Sequence, residues 1–359
     1  MTRVAGDLNP FCKTEICVIS YLKINGLFLI GKFKGMMMNN RQIKRNQHYV
    51  PQSYLRRFAI KGEQSLLWSF DKESKRYLRH PSSVKKICCE DYYYYQLDEA
   101  GEVNHVDLED SISEVEKIGN DIINKVINMS AMPYVYLSIE EKSYLAYYIA
   151  FMQTRGPSFR NIVNDLYGDI AVRTLKSSFD AKIFPEPPEV LQRMIDEKGL
   201  LQAVKLSIHP SVSLEYMIKS AGQLANVFLN KQWTLHFSNG NCEFVSSDNP
   251  VSFFSKVAAS GIGPGHPSAI TIFPISPSLC LTIEPAKQAD LEINIVRGDD
   301  FVQLKLNQLI FDGANDLVFA SSKQDWIESY CKENKSSKMT LISGVIKKEF
   351  EIIKNPFKK

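Results

Sequence analysis

Hydrophobic positions in the middle of the chain recur with the period of a helix, and toward both ends with the period of a strand. Val106, Ile112, Val115, Ile118, Ile122 and Val126 share one face, which predicts an amphipathic helix over 107–128. Ser138-Ile139-Glu140-Glu141 has capping-box spacing and opens a second helix. Its apolar run from Leu145 to Met152 is broad enough to be buried on most sides. Gly156-Pro157 breaks that helix just after Arg155, because proline lacks an N–H and disfavours helical geometry in the residue before it. Helix resumes from about Phe159 to Phe179. Pro185, Pro187 and Pro188 mark a loop, and further helices follow over Glu189–Glu197 and Ser213–Leu229.

Strand patterns flank this middle. Leu66–Phe70 and Arg76–Leu78 form a hairpin across 71–75, and a third strand runs through the tyrosines Tyr92 to Tyr95. From Trp233 onward, strands are expected at Thr234–Phe237, Cys242–Ser246, Ala269–Phe273, Leu279–Ile283, Ile293–Val296 and Leu317–Ala320. Helices are expected at Phe301–Phe311 and Asp325–Cys331, and Gly261 to Pro267 reads as a loop. Helices gather in the middle and strands toward the ends, with no βαβ alternation. The fold class is therefore α+β, with a mainly antiparallel sheet in the C-terminal part.

At 359 residues the chain can bury a sizeable core, and 44% hydrophobic with 23% charged residues is ordinary for a globular protein. The expected organisation is one domain over 39–335, with a helical core at about 105–230, a strand-rich part at about 231–322 and a tail from 336 to 359. Residues 1–38 read as an extension, with Met36-Met37-Met38 as the natural start of translation. An N-terminal membrane or partner anchor is the other reading of that segment. Lys23 and Asn25 interrupt its apolar runs, so no membrane span is expected. The seven cysteines show no CxxC and no repeated spacing, which provides no zinc motif and suits a reducing cytoplasm.

Net charge is only +3, so attraction to an anionic partner must come from local patches. One stands out. From Ile16 to Gly62 there are nine Lys or Arg and no Asp or Glu, and within this tract lies Asn46-Gln47-His48-Tyr49-Val50-Pro51-Gln52-Ser53-Tyr54-Leu55-Arg56-Arg57-Phe58. Pro51 belongs at the start of a short helix through Phe58. The His48 imidazole titrates near neutrality and suits general acid or base work; bracing that helix is the structural alternative. Arg56 or Arg57 could grip phosphate or carboxylate, but on a short helix only one of them can share a face with His48.

Glu109 and Glu116 lie seven apart on the 107–128 helix and so share a face, where carboxylates can hold a divalent cation or divide acid and base roles. A solvated charged face is the plainer account. Arg155, ending an apolar helix, should be partly buried and need an anion, either Glu109 or Glu116 or a ligand phosphate. Asp248, in Ser246-Ser247-Asp248-Asn249-Pro250, could be a base, a metal ligand or an orienter of His48, or could close an Asx-turn. The four tyrosines should pack the core, with base stacking the alternative. Walker A, dinucleotide-glycine, His-Glu-x-x-His and EF-hand motifs are absent, which weakens ATPase, dehydrogenase, zinc-protease and calcium-sensor readings.

His48-Tyr49-Val50-Pro51-Gln52 with Tyr54-Leu55-Arg56 and Phe58 resembles the opening of a bacterial family catalogued as domain of unknown function 4238. Leu108-Glu109 with Ile112 and Glu116, Gln153-Thr154-Arg155, Ser246 to Pro250, Phe273 to Pro277, and Asn307 ahead of Val318-Phe319-Ala320 follow in the family's order. The resemblance covers about 46–322. It implies no established activity, only an association with mobile elements and phages that suggests a role in phage–host conflict. The candidates are His48, Asp248, Glu109 and Glu116 for catalysis, and Arg56, Arg155, Tyr49 and Asn307 for ligand binding. The leading expectation is a hydrolase of nucleic acid or nucleotide, with a divalent cation as one option for its carboxylates. A non-catalytic binder of nucleic acid or nucleotide and an interaction protein of a phage-defence system are the alternatives.

Overall fold

A computed structural model describes residues 15–17, 44–97, 103–104, 107–209, 211–240, 242–255, 263–286, 292–333 and 350–352. The expected extension (apart from 15–17), part of the 261–267 loop and most of the tail lie outside the described residues. The fold is α+β. Its helices are α1 (Gln52–Leu55), α2 (Asp107–Asn128), α3 (Ile139–Thr154), α4 (Pro157–Asp180), α5 (Glu189–Lys198), α6 (Leu200–Ala203), α7 (Ser211–Leu229), α8 (Asp300–Gly313) and α9 (Asp325–Glu333).

The chain divides into two compact units, which share out the helical middle between them. In the smaller, which includes Val163–Val212, the strand Lys205–Ile208 lies between Glu15–Cys17 and Glu351–Ile352, all parallel. Val172, Leu206, Ile208 and Phe350 form its buried cluster.

The larger unit holds Ile43–Ile162 and Ser213–Ile342. Its six-stranded sheet runs in the order Ser252–Ser255, Ala269–Ser276, Leu279–Glu284, Gln232–Phe237, Glu292–Arg297, Val135–Tyr136. Pairing is antiparallel except between Gln232–Phe237 and Glu292–Arg297. Trp233, Leu235, Leu281 and Ile283 alternate onto one face and join Tyr54, Phe58 and the apolar sides of α2, α3 and α7 in the main core. Ile272 and Cys280, on the other face, pack with Leu306 and Ile310 of α8. A second sheet carries Ser246–Ser247, Leu317–Ala320, Leu66–Asp71 and Arg76–Tyr77 in that order.

The helix signals correspond closely to the elements. Ser138 Oγ accepts from the Glu141 amide while Glu141 caps the Ser138 N–H, completing the capping box of α3. The α3 helix ends at Thr154, with Arg155 as its C-cap before Pro157 opens α4.

Two strand expectations fail. The tyrosines form a turn entered by Tyr92 at φ +50°, and Tyr93, Tyr94 and Tyr95 are all buried. Strand pairing is confined to the flanking Cys89–Asp91 and Gln96–Leu97. The expected strand over Cys242–Ser246 shrinks to Ser246–Ser247, because side chains of α8 bond the backbone of 242–245 in place of a neighbouring strand. Among the described residues no helix is long and apolar enough to cross a membrane.

Lys72, in the hairpin turn, is buried, and its ammonium donates to the carbonyls of Phe311 and Ala314 at 2.8 and 2.6 Å. It caps the C-terminus of α8, where the carbonyls lack helical partners and the dipole favours a cation. Lys72→Ala should leave buried carbonyls unpaired and cost about 1–3 kcal/mol in a denaturant-unfolding measurement.

Candidate functional site

The candidates separate into two groups. The first is built around Arg155, which is 0% exposed. Its Nε donates to the Tyr49 carbonyl at 2.6 Å and its Nη1 to Glu116 Oε1 at 2.8 Å. The structure therefore assigns Glu116 as the carboxylate partner expected for a buried arginine. The Arg155 carbonyl accepts from Tyr93 Oη at 2.9 Å. Arg160, five residues on, donates to the Tyr93 carbonyl and stacks on its ring at 4.3 Å. The tyrosine turn thus clasps the break between α3 and α4, a role in packing and not in base stacking.

His48 ends the short strand Asn46–His48, paired with Cys89–Asp91. Its carbonyl accepts from Tyr94 Oη, and its Nε2 lies 3.1 Å from the Val84 carbonyl. A carbonyl can only accept, so Nε2 carries the proton and Nδ1 is left as the acceptor. Burial lowers the pKa of this half-buried ring, opposed by the Val84 carbonyl and Glu116 and reinforced by Arg155 and Arg56. Arg56 is exposed and bonded to Gln52, and its charge is one of those that lower the His48 pKa. Arg57 turns instead toward α2, where Asn120 and Asn124 accept from it.

Glu109, two turns from Glu116 on α2, is half-buried, with Lys44 at 3.7 Å. Burial raises its pKa to about 7, Glu116 adds to the rise, and Lys44 and Arg155 oppose it. His48 and Glu109 thus each feel the charges of Glu116 and Arg155.

The second group, Asp248 and Asn307, holds the segment 242–250 in place. Asp248 is 5% exposed. Its Oδ1 accepts from the Asn315 amide at 2.9 Å, and its Oδ2 from those of Asp316 and Leu317 at 2.9 and 3.1 Å. Burial raises its pKa to about 6 against the pull of these three amides. The Asx-turn that was the alternative role for Asp248 does not form. Ser247 closes the local turn through Asn249, and Asp248 instead fixes the chain entering the strand Leu317–Ala320. Both Asp248 oxygens are held by backbone, and neither bonds His48. Asn307 is fully buried, its amide bonding the Val245 N–H, the Glu243 carbonyl and Cys242 Sγ. Its polar atoms are likewise taken by the chain itself.

The positions of Lys72 and Arg160 carried no local signal, since each depends on partners far away in sequence. Among the described residues no group of three or more His, Cys, Asp or Glu side chains is arranged to hold a metal ion.

With this geometry in view, comparison with known proteins gives one result. The family described as "Protein of unknown function (DUF4238)" matches residues 46–324. The chain belongs to this family. The matched span contains both groups of residues and runs through both structural units. No curated protein and no solved structure matches the chain.

Two measurements check this division. Arg155→Ala leaves Glu116 and the Tyr49 carbonyl without their donor, and Asp248→Asn sets an amide NH₂ against backbone N–H groups. Each should cost about 3–5 kcal/mol of unfolding free energy, as breaking a buried, hydrogen-bonded charge does. Glu109 supplies a pH signature. In the folded state it keeps its proton up to about pH 7, while in the unfolded chain it loses it near 4.5. The folded state binds more protons in that window, so Glu109 lowers stability as pH rises from about 4.5 to 7 and adds nothing further above it. His48, with a lowered pKa, gives the opposite slope as pH falls below 6.5. At pH 8, Glu109→Gln should be more stable than the parent by on the order of 2 kcal/mol, with the difference vanishing near pH 4.

Proposed function

We propose that the protein is a hydrolase of phosphodiester bonds in a nucleic acid or nucleotide, with His48 and Glu109 as its proton-transfer groups. One observation supports this above the others. Both side chains are half-buried beside the same Arg155–Glu116 pair, and burial shifts His48 toward a neutral base and Glu109 toward a neutral acid. Two titratable groups pushed in opposite directions near neutrality are what general acid–base chemistry needs.

In this reaction water attacks phosphorus as His48 Nδ1 takes its proton. The bond to the leaving oxygen breaks as the Glu109 carboxyl delivers a proton to it. The Glu116 carboxylate, held by Arg155, stabilises the imidazolium that forms. Arg56 and Lys44, both exposed, hold the phosphate oxygens. The proton on His48 then returns through solvent to Glu109. Asp248, with both oxygens on backbone amides, takes no part. Such an activity would serve in phage–host conflict, the setting suggested by the family resemblance.

The test is turnover of single-stranded DNA, RNA and cyclic or dinucleotide substrates by the full chain, with and without divalent cations. His48→Ala and Glu109→Gln should each lower the rate about 10²–10⁴-fold while leaving the melting temperature nearly unchanged or raised. Salt-sensitive binding of these substrates with no product from the parent would overturn the hydrolase and favour the binding protein.

A further inference from the structure

The helix face of α2 that bears Glu116 also carries Gly119, Asn120 and Asn124, one and two turns further on. Three side chains meet this face in succession. Arg155 bonds Glu116, the Tyr148 ring occupies the space where a Cβ on Gly119 would lie, and Arg57 donates to Asn120 at 2.9 Å and Asn124 at 3.1 Å. Each presents a buried polar atom with no hydrogen-bond partner: Arg155 Nη2, Tyr148 Oη and Arg57 Nε. Arg155 and Tyr148 are themselves 0% exposed.

The charges here do not balance. Arg155 has Glu116, but among the described residues Arg57 is held by the neutral amide oxygens of two asparagines. Among the described residues no carboxylate lies within ion-pair distance of Arg57. Burial lowers its pKa, offset only by Tyr148 and Tyr54. Tyr148, for its part, feels Glu116, Arg155 and Arg57, and burial keeps its hydroxyl protonated and able to donate. A partly desolvated guanidinium is stable when an anion completes it, and unpartnered donors on one face have the polarity to receive one. Asn124 is exposed and the Arg57 side chain only half-buried, so this end of the face opens to solvent.

We propose that Arg57 Nε, Tyr148 Oη and Arg155 Nη2 bind a small oxyanion, of the phosphate or carboxylate class, entering along the half-exposed guanidinium of Arg57. The site lies on the α2 side of the arginine pair, away from the exposed Arg56, and uses no group that transfers a proton in the hydrolase. It gives the second arginine of the pair a role separate from the first.

The experiment is thermal unfolding of the full chain in inorganic phosphate, and separately in acetate, each against chloride at equal ionic strength. Phosphate or acetate at saturation should raise the melting temperature by roughly 2–4 °C, and the larger shift identifies the oxyanion class. Tyr148→Phe keeps the ring and removes only the unpartnered hydroxyl. It should melt at or above the parent temperature in chloride and lose most of the shift. Arg57→Gln should lose the shift entirely, whereas His48→Ala should retain it whether or not the protein hydrolyses anything. No shift beyond that of chloride in the parent, or an undiminished shift in both Tyr148→Phe and Arg57→Gln, overturns the site.

Discussion

A guanidinium with no exposed surface depends on the protein for its hydrogen bonds, and Arg155 stands where two other parts of the chain supply them. It caps α3 at the Gly156-Pro157 break, so its position is set by helix termination. From there Nε reaches back to the carbonyl after His48, and Nη1 reaches Glu116 on α2. Its own carbonyl receives the Tyr93 hydroxyl. The segment around His48, the tyrosine turn and the acidic face of α2 are thereby tied to one cation. The surroundings of His48 and Glu109, and so their shifted proton affinities, follow from that tie.

Asp248 shows how a perturbed proton affinity can coexist with a carboxylate fully engaged by backbone amides. It and Glu109 are both raised by burial. The Asp248 oxygens, however, take three backbone amides, whereas Glu109 sits beside the largely exposed Lys44 on a helix face also bearing Glu116. Desolvation is common to both, and the hydrogen-bond partners differ. Asn307, Lys72 and Asn249 belong with Asp248: each bonds backbone far away in sequence, and together they fix the 242–250 segment and the C-terminal end of α8 with its following turn.

The arginine pair shows the same distinction one residue apart. Neighbours on a short helix point in different directions, so Arg56 faces solvent near His48 while Arg57 meets α2. That only one could share a face with His48 was legible from spacing. Which one, and what the other would meet, depended on how α2 packs.

What the chain determines by itself is what rests on local backbone physics: the period of α2, the capping box of α3, the proline break at 156–157, and a partly buried Arg155 that needs an anion. Each follows from interactions within a few residues. The resemblance to the family was likewise carried by short ordered motifs. Tertiary structure alone decided that the tyrosines form a turn, that Asn307 replaces a strand across 242–245, that Asp248 braces a distant turn, and that Glu116 and not Glu109 is the partner of Arg155. These outcomes are fixed by hydrogen bonds between groups tens to hundreds of residues apart, and a buried polar atom takes whichever partner the packed core brings to it.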